Sequence, residues 1–125
     1  MIALDTCVLA RLLAGDDENQ QLAAAEFIES NDCSVSWTVL IELCWVLDRS
    51  MKLGRGTTAT VLAQLQNVDR LTLPDTEGFA WCIARYREGS DFADMVHLWA
   101  ALPGSTALAT FDRKLQKQVD PRLPI

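Results

Sequence analysis

The chain has 125 residues, half of them hydrophobic, which suits one folded domain over residues 1–125 and excludes a disordered tail. Its net charge of −6 argues against broad, metal-free affinity for nucleic acid, because such binders are usually basic. No apolar run reaches the length of a membrane-spanning helix, and the first residues lack the basic start of a signal peptide.

The cysteines Cys7, Cys33, Cys44 and Cys82 show no spacing typical of a zinc site or a redox motif. Each lies in or beside an apolar stretch, so we expect buried, reduced thiols rather than disulfides or metal ligands. Reduced thiols and the absence of a signal sequence together favour a cytoplasmic protein that does not enter a membrane.

Predicted strands and helices alternate along the chain. The predicted strands are residues 2–4, 33–36, 70–73 and 107–110. The predicted helices are residues 6–13, a helix after the polar turn 16–19, 37–53, 57 or 58 to 67, 75–86, 91–102 and 112–119. The tail, residues 120–125, is either an edge strand or a loosely packed end. This alternation predicts an α/β fold with a mostly parallel central sheet, covered by helices on both faces through right-handed crossovers.

Two aspartates directly follow predicted strands. Asp5 comes after the first strand and Asp112 after the last. The carboxyl ends of parallel strands share one edge of a sheet, where α/β folds bind their ligands. Both residues also precede helices, so helix capping is an alternative role, and one residue can serve both.

The predicted helix 91–102 carries two more acids at its start. At 100° per residue, Asp91 and Asp94 fall on the same face as Met95 and Leu98, which is the apolar face. Capping accounts for Asp91. Asp94 would face inward at the end of the first turn and needs a partner, of which a metal ion is the simplest.

Glu42 lies within an otherwise apolar run, residues 39–47, which predicts a helix buried on nearly every side. A buried charge requires compensation, and neither Lys nor Arg occurs within the run. A salt bridge to Arg49 or Arg11 is one hypothesis. The other is that Glu42 joins Asp5, Asp91, Asp94 and Asp112 at a metal site.

Carboxylates on short strand-edge and helix positions suit Mg²⁺ or Mn²⁺, which prefer oxygen ligands. The chemistry that such a site favours is metal-assisted phosphodiester hydrolysis, in which one ion activates water and a second stabilises the leaving oxygen. These five acids make up five of the six excess negative charges, so the acidity of the chain does not exclude a phosphate substrate.

Residues around the acids are weaker candidates. Thr6 and Thr110 can hydrogen-bond metal-bound water, although capping explains them too. The cations available for phosphate contacts are Arg11, Lys52, Arg55, Arg85, Arg87, Arg113, Lys114 and Lys117. Arg11, Arg113 and Lys114 follow Asp5 or Asp112 closely enough to lie near the sheet edge, whereas most of the others are expected to be ordinary surface residues. His97 is expected to be a core histidine. The four tryptophans are expected in the core or at a dimer interface.

Four motifs in order resemble one family. They are Ile2-Ala-Leu-Asp-Thr6, the segment 36–43 around Glu42, Asp91-Phe-Ala-Asp94 with the helix that follows, and residues 109–112. The separations between Asp5, Glu42, Asp94 and Asp112 are 37, 52 and 18 residues. Together these motifs are similar to those of the PIN-domain ribonucleases, and among them most similar to the VapC toxins of prokaryotic toxin–antitoxin pairs.

The resemblance carries specific implications. It implies a three-layer α/β/α sandwich, usually dimeric, that uses Mg²⁺ or Mn²⁺ to cut single-stranded RNA. Asp5, Glu42, Asp94 and Asp112 match the catalytic, metal-binding acids of the family, and Asp91 matches an additional acid. The implied partners are an RNA substrate, a second copy of the chain and a VapB-type antitoxin protein. Trp99 departs from the smaller residue usual in that helix.

Three alternatives remain open. The chain could be a PIN-domain RNA-processing nuclease outside any toxin–antitoxin pair, or a non-catalytic acidic binding module that receives basic peptides. An aspartyl-phosphate phosphatase is disfavoured, because Cys7 occupies the place where that chemistry requires a second aspartate.

Overall fold

The computed structural model describes residues 1–101, 103–106, 108–110, 112, 114 and 115. Its centre is a parallel sheet of three strands in the order β1-β2-β3, where β1 is Ile2–Ala3, β2 is Cys33–Ser34 and β3 is Leu71–Thr72. A helix or a helical pair connects each strand to the next, which confirms the predicted α/β fold with a parallel sheet.

Six α-helices surround this sheet within the described residues. They are α1 (Thr6–Ala14), α2 (Glu18–Ser30), α3 (Trp37–Trp45), α4 (Arg55–Ala63), α5 (Thr76–Arg87) and α6 (Phe92–Ala101). A π-helical turn, Val46–Ser50, follows α3, and a 3₁₀ turn, Gln64–Asn67, follows α4.

The strands are shorter than predicted, but backbone pairing extends beyond their formal ends. The amide of Leu4 donates to the carbonyl of Ser34 at 2.9 Å, and the amide of Val35 donates to the carbonyl of Thr72 at 3.1 Å. These bonds carry the chain to Asp5 and Ser36, the residues that begin α1 and α3.

The predicted fourth strand is wrong over its described residues, because Leu108, Ala109 and Thr110 form no strand. The hydroxyl of Thr110 accepts from the amide of Asp112 at 3.0 Å. Ala107, the first residue of the predicted strand, lies outside the described residues. So does most of the predicted helix 112–119, of which Lys114 and Leu115 are described and helical. The predicted edge strand or packed end at residues 120–125 also lies outside them.

The predicted helix 37–53 is interrupted. It ends as an α-helix at Trp45, and the amide of Met51 then bonds to the carbonyl of Val46, five residues back, at 2.8 Å. Such π-turns change the direction in which the following side chains point. Here Asp48 accepts a hydrogen bond from the hydroxyl of Tyr86 on α5 at 3.0 Å.

The core draws side chains from the inner faces of α1, α3, α4, α5 and α6. The largest fully buried ones are Phe79, Leu9, Leu40, Leu43, Leu47, Leu62, Leu65, Met95 and Leu98. Because α3 packs against both α1 and α6, it lies between the two helices that begin with predicted site acids.

Three cysteines, Cys33, Cys44 and Cys82, are buried and free, as predicted, but Cys7 is exposed, so that part of the prediction is wrong. Cys7 directly follows Thr6 at the start of α1, and the helix turns position 7 to solvent while Thr6, Leu9 and Ala10 face the core. Within the described residues, no helix has the length and hydrophobicity needed to cross a membrane.

Candidate active site

Asp5 links the end of β1 to the start of α1. Its backbone is extended (φ −86°, ψ 160°), and its Oδ1 accepts from the amide of Thr6 at 2.8 Å. The capping role considered from the sequence is therefore present. The side chain is exposed at the carboxyl end of the strand, where its Oδ2 accepts a long hydrogen bond from the exposed Cys7 thiol at 3.8 Å.

Thr6 and Glu42 join α1 to α3. The hydroxyl of Thr6, a residue only 5% exposed, donates to Oε1 of Glu42. This bond brings together residues 36 positions apart and fixes one carboxylate oxygen of Glu42 beside the turn that carries Asp5.

The predicted burial of Glu42 is wrong. Glu42 is exposed, together with Thr38 and Trp45 on the same helix, and Trp45 is 63% exposed. These residues are spaced four and three apart and form one solvent-facing stripe, while Leu40, Leu43 and Cys44 face the core. The helix is amphipathic, but its sequence does not reveal the outer face, because Trp45 on that face is itself apolar. The salt-bridge hypothesis also fails within the described residues, where the recorded ion pairs join Arg49 to Asp48 and Arg70 to Asp32.

Asp91 and Asp94 begin α6 together. Asp91 Oδ1 accepts from the amide of Asp94 at 2.9 Å, so Asp91 caps the helix as expected. Asp94 is half-buried between this cap and the buried side chains of Met95 and Leu98. This is close to the predicted inward-facing position.

Asp112 also caps a helical turn, since its Oδ1 accepts from the amides of Lys114 at 2.9 Å and Leu115 at 3.2 Å. The Asp112 side chain is exposed, but its charge reaches α6. Burial is the first cause that raises the pKa of the Asp94 carboxyl above its ordinary value, and the charges of Asp91 and Asp112 raise it further. His97 lowers this pKa slightly. Asp91, Asp94 and Asp112 therefore share one local electrostatic field.

A cavity of about 210 Å³ opens beside these acids. It is lined by Asp91, Asp94, Arg55, Gly89, Lys114 and Leu115. A smaller cavity, about 140 Å³, lies on the other side of Asp91 and includes Arg55, Trp45 and Tyr86 in its wall. Neither cavity holds a positive excess of the kind expected for metal-free binding of nucleic acid, because carboxylates line both.

The donor chemistry of the acids fits a hard divalent cation, because every candidate ligand is a carboxylate oxygen. Burial is the first cause of the raised pKa of Asp94, but the charges of Asp91 and Asp112 raise it further, and a cation would offset that repulsion. Within the described residues, however, no three His, Cys, Asp or Glu side chains converge closely enough to hold one ion. The acids instead form two groups: Asp5 with Glu42, bridged by Thr6, and Asp91 with Asp94 and Asp112.

Comparison with known protein families matches residues 2–120 of the chain to the PIN domain. The chain belongs to the PIN domain family. Comparisons with curated proteins and with solved structures gave no significant match. PIN domains are generally metal-dependent nucleases that act on RNA, and the matched span contains all five acids. The fold class is therefore the α/β class of the PIN domain.

The remaining predicted site residues of this PIN domain lie in different places. Arg11 points to α2, where its Nε donates to Gln20 Oε1 at 2.7 Å, and its Nη1 donates to the carbonyl of Cys7 at 3.2 Å. It lines a separate groove between α1 and α2 rather than either acid cavity. Thr110 lies two residues before Asp112 and accepts its amide. Arg113 lies outside the described residues.

His97 of the PIN domain is exposed on α6, so the expectation of a core histidine is wrong. Position 97 lies between the buried residues Val96 and Leu98, and the helix turns it to solvent. Of the tryptophans, Trp37, Trp81 and Trp99 are half-buried against the core, as expected, whereas Trp45 is exposed.

Arg55 was one of eight cations considered for phosphate contacts from the sequence, but it was not among the three expected near the acids. The structure sets it at the start of α4, in the wall of both cavities that adjoin Asp91. No signal in the sequence marks it, because its neighbours Tyr86 and Ser90 lie 31 and 35 positions away along the chain.

Proposed function

We propose that this PIN domain is an endoribonuclease that hydrolyses phosphodiester bonds in single-stranded or loop RNA and requires Mg²⁺ or Mn²⁺. The observation that carries the proposal is the shared field of Asp91, Asp94 and Asp112 at the head of α6, in a chain of a family whose members are generally metal-dependent nucleases. Without metal, the charges of Asp91 and Asp112 disfavour ionisation of the Asp94 carboxyl. A divalent cation bound among the three side chains would instead favour their ionised forms.

The proposed roles follow from how each side chain is held. Asp5, Glu42, Asp94 and Asp112 are the catalytic acids and, with Asp91, the candidate metal ligands. Asp5 and Asp112 each use Oδ1 in capping, which orients the carboxylate. Thr6 fixes Glu42 in the same way. The Oδ2 of Asp5 accepts only a long bond from the exposed Cys7 thiol, at 3.8 Å, which a bound cation would displace. When bound, the ion supplies Lewis acidity, which polarises the phosphodiester and lowers the pKa of the attacking water.

Asp94 is the best candidate for proton transfer among the chain's own groups. In the metal-free chain, burial and then the charges of Asp91 and Asp112 raise its pKa, and the residue lines the cavity of about 210 Å³ beside Lys114. A carboxylate of this kind can orient the attacking water and receive its proton. Lys114, in the wall of the same cavity, provides positive charge for the phosphate.

We further propose that the chain is the toxin of a type II toxin–antitoxin pair. The support is the order and spacing of the acid motifs, which are similar to those of VapC toxins. The proposal includes a VapB-type antitoxin as partner, a homodimer and a cytoplasmic location. An open reading frame for a small protein directly upstream would support it. Expression of the chain alone should arrest growth, and co-expression of that neighbour should relieve the arrest.

The alternative of a non-catalytic acidic binding module has one observation in its favour: Asp5, Asp91 and Asp112 all act as helix caps. If capping were their whole role, the protein would show no dependence on divalent metal. Thermal melts with and without Mn²⁺ separate the two hypotheses, because an ion that binds only the folded chain raises its melting temperature.

The experiment that tests the proposed function is expression of the chain and of its Asp94→Asn variant, scored for growth arrest and for new RNA ends. We expect arrest and cut RNA with the wild-type chain and neither with the variant. Equal arrest and equal cleavage by the two proteins would contradict the assignment of Asp94. A wild-type chain that arrests growth without cutting RNA would contradict the nuclease itself.

A further inference from the structure

The side chain of Arg55, the first residue of α4, is fixed by several contacts. The residue follows Gly54, whose positive φ of 80° turns the chain into α4. Its Nη1 donates to the carbonyl of Tyr86 at 2.6 Å and to the carbonyl of Ser90 at 2.7 Å. The guanidinium also lies 4.6 Å from the centre of the Tyr86 ring. Three contacts therefore hold its plane in one orientation.

The two carbonyls belong to the connection between α5 and α6. Tyr86 lies in the last turn of α5, and Ser90, 6% exposed, directly precedes the helix cap Asp91. A guanidinium bonded to Ser90 is therefore fixed beside the acids that begin α6. This explains why Arg55 lines the same cavity as Asp91 and Asp94.

Only one edge of the guanidinium is used by these contacts. Both bonds come from Nη1, so the donors on Nε and Nη2 have no acceptor among the described residues. Nor does Arg55 form an ion pair with Asp91 or Asp94, since the recorded pairs of the described residues involve Arg49 and Arg70. The result is a rigid cation beside two carboxylates, neutralised by neither of them.

The Nε and Nη2 donors of arginine form a planar fork that matches two oxygens of a phosphate group. We propose that Arg55 binds a phosphate of the RNA strand in the cavity of Asp91, Asp94 and Lys114, and so places the backbone against the acids. This inference rests on the proposed function, because it takes RNA as the ligand. It changes the assignment of Arg55 from a surface cation to a substrate-binding residue.

A purely structural role, in which Arg55 only ties α4 to the connection between α5 and α6, is the competing explanation. The two roles differ in how binding responds to salt. Each phosphate neutralised on a single strand contributes about −0.7 to the slope of log K against log salt concentration. Loss of a phosphate contact removes that contribution, whereas loss of a structural tie does not.

The test measures binding of a fluorescein-labelled single-stranded RNA over a range of salt concentrations, using the Asp94→Asn protein so that the RNA is not cut. In this background we expect Arg55→Met to weaken binding roughly 10-fold or more and to reduce the salt slope by about 0.7. Arg55→Lys keeps the charge but lacks the fork, so it should retain the slope and lose part of the affinity.

Arg87→Met is the matched control. Arg87 also connects α5 to α4, through Thr60 Oγ1 at 3.3 Å, and removal of its charge changes the net charge equally, but it lines neither acid cavity. An unchanged salt slope in Arg55→Met, with a lowered melting temperature, would overturn the proposal in favour of the structural role. If Arg55→Met fails to fold, full affinity in Arg55→Lys would overturn it instead.

Failure of the proposed nuclease function and failure of the Arg55 proposal give different results. Wild-type protein that binds the RNA but never cuts it with Mn²⁺ contradicts the nuclease and leaves the Arg55 comparison valid. If wild-type protein cuts RNA, and Arg55→Met made in the wild-type background binds and cuts RNA equally well, the phosphate contact alone is contradicted. An Asp94→Asn protein that binds no RNA contradicts the Arg55 proposal.

Discussion

Thr6 on α1 donates a hydrogen bond to Glu42 on α3, and this bond holds the glutamate near Asp5 without burying it. The rigid member of the pair is Thr6, which is almost fully buried. An exposed carboxylate would otherwise sample several rotamers, and each would present its oxygens differently. The contact therefore supplies the orientation that burial was expected to supply.

Thr6→Val removes the hydroxyl and keeps the shape. We expect RNA cleavage to fall about 10-fold, in the range found when a residue that orients a metal ligand is removed, while the melting temperature changes little. Thr6→Ser should retain most of the activity. The matched control is Thr58→Val on α4: the Thr58 hydroxyl is fully buried and has no partner among the described residues, so its loss should stabilise the fold and leave cleavage unchanged. Equal cleavage by Thr6→Val and wild type would contradict the orienting role.

Asp94→Asn should stabilise the metal-free protein, with a pH dependence of definite sign. Burial, then Asp91 and Asp112, raise the pKa of Asp94 in the folded chain above its value of 3.8 in the unfolded chain. The folded state thus binds its proton more tightly, and the wild type loses stability as pH rises from 3.8 through the folded pKa. Urea unfolding in EDTA should show the advantage of the variant appearing over that window and vanishing at lower pH.

Asp75→Asn should change the free energy of unfolding in the opposite direction, because the pKa of Asp75 is lowered rather than raised. The amide of Gly78 is the main cause that lowers the pKa of Asp75, and the indole N–H of Trp99, at 2.7 Å from its Oδ2, lowers it further. Ionised Asp75 therefore stabilises the fold at pH values above 3.8, and this contribution is lost as pH falls through the lowered pKa. The variant should be less stable than wild type at neutral pH and should approach it in acid. If Asp94→Asn and Asp75→Asn both stabilised the fold, or both destabilised it, at neutral pH, the electrostatic assignment of the two residues would be contradicted.

Divalent metal should reverse the effect of Asp94→Asn. An ion that binds the folded chain at about 100 times its Kd adds about 2.7 kcal/mol to the free energy of unfolding. We expect Mn²⁺ to raise the melting temperature of wild type by roughly 10 °C and that of Asp94→Asn by much less. NaCl at the same ionic strength serves as the control for screening. An identical Mn²⁺ response in both proteins would remove Asp94 from the ligand set.

Gly78→Ala tests how α5 accommodates Trp99, the large side chain that packs against it from α6. A Cβ at position 78 would lie 2.3 Å from the indole nitrogen of Trp99. We expect a loss of about 1–3 kcal/mol in the free energy of unfolding, measured by urea denaturation. Gly56→Ala on α4 meets no atom within 4 Å and should instead stabilise by about 0.4–1 kcal/mol. A neutral Gly78→Ala would mean that the indole shifts freely.

Local chemistry made much of this fold predictable. The helix starts at Asp5, Asp75 and Asp91 depend on a side chain that accepts a backbone amide one to three residues later, and such capping is visible in sequence. The parallel sheet followed from the alternation of strands and helices. The fourth strand failed because the pairing of residues 108–110 depends on a distant neighbour rather than on local pattern.

The solvent exposure of the site residues could not be predicted from the sequence. Glu42 and Trp45 lie in a helix with too few polar residues to reveal its outer face, so both were expected inside. The contacts that define the site join distant positions: Thr6 to Glu42, and Arg55 to Tyr86 and Ser90. Such pairings arise from packing of α1, α3 and α4 and leave no periodic trace.

The central claim is tested most directly by cleavage of single-stranded RNA with purified wild type and Glu42→Gln, each with Mn²⁺ and with EDTA. Glu26→Gln on α2, an exposed glutamate outside the candidate site, is the control. We predict that wild type and the control cleave the RNA with Mn²⁺ and not with EDTA. With Mn²⁺, the cleavage rate of Glu42→Gln should be lower than that of wild type by a factor of about 100 or more, at an unchanged melting temperature. Cleavage by Glu42→Gln at the wild-type rate, or undiminished cleavage in EDTA, would contradict the account.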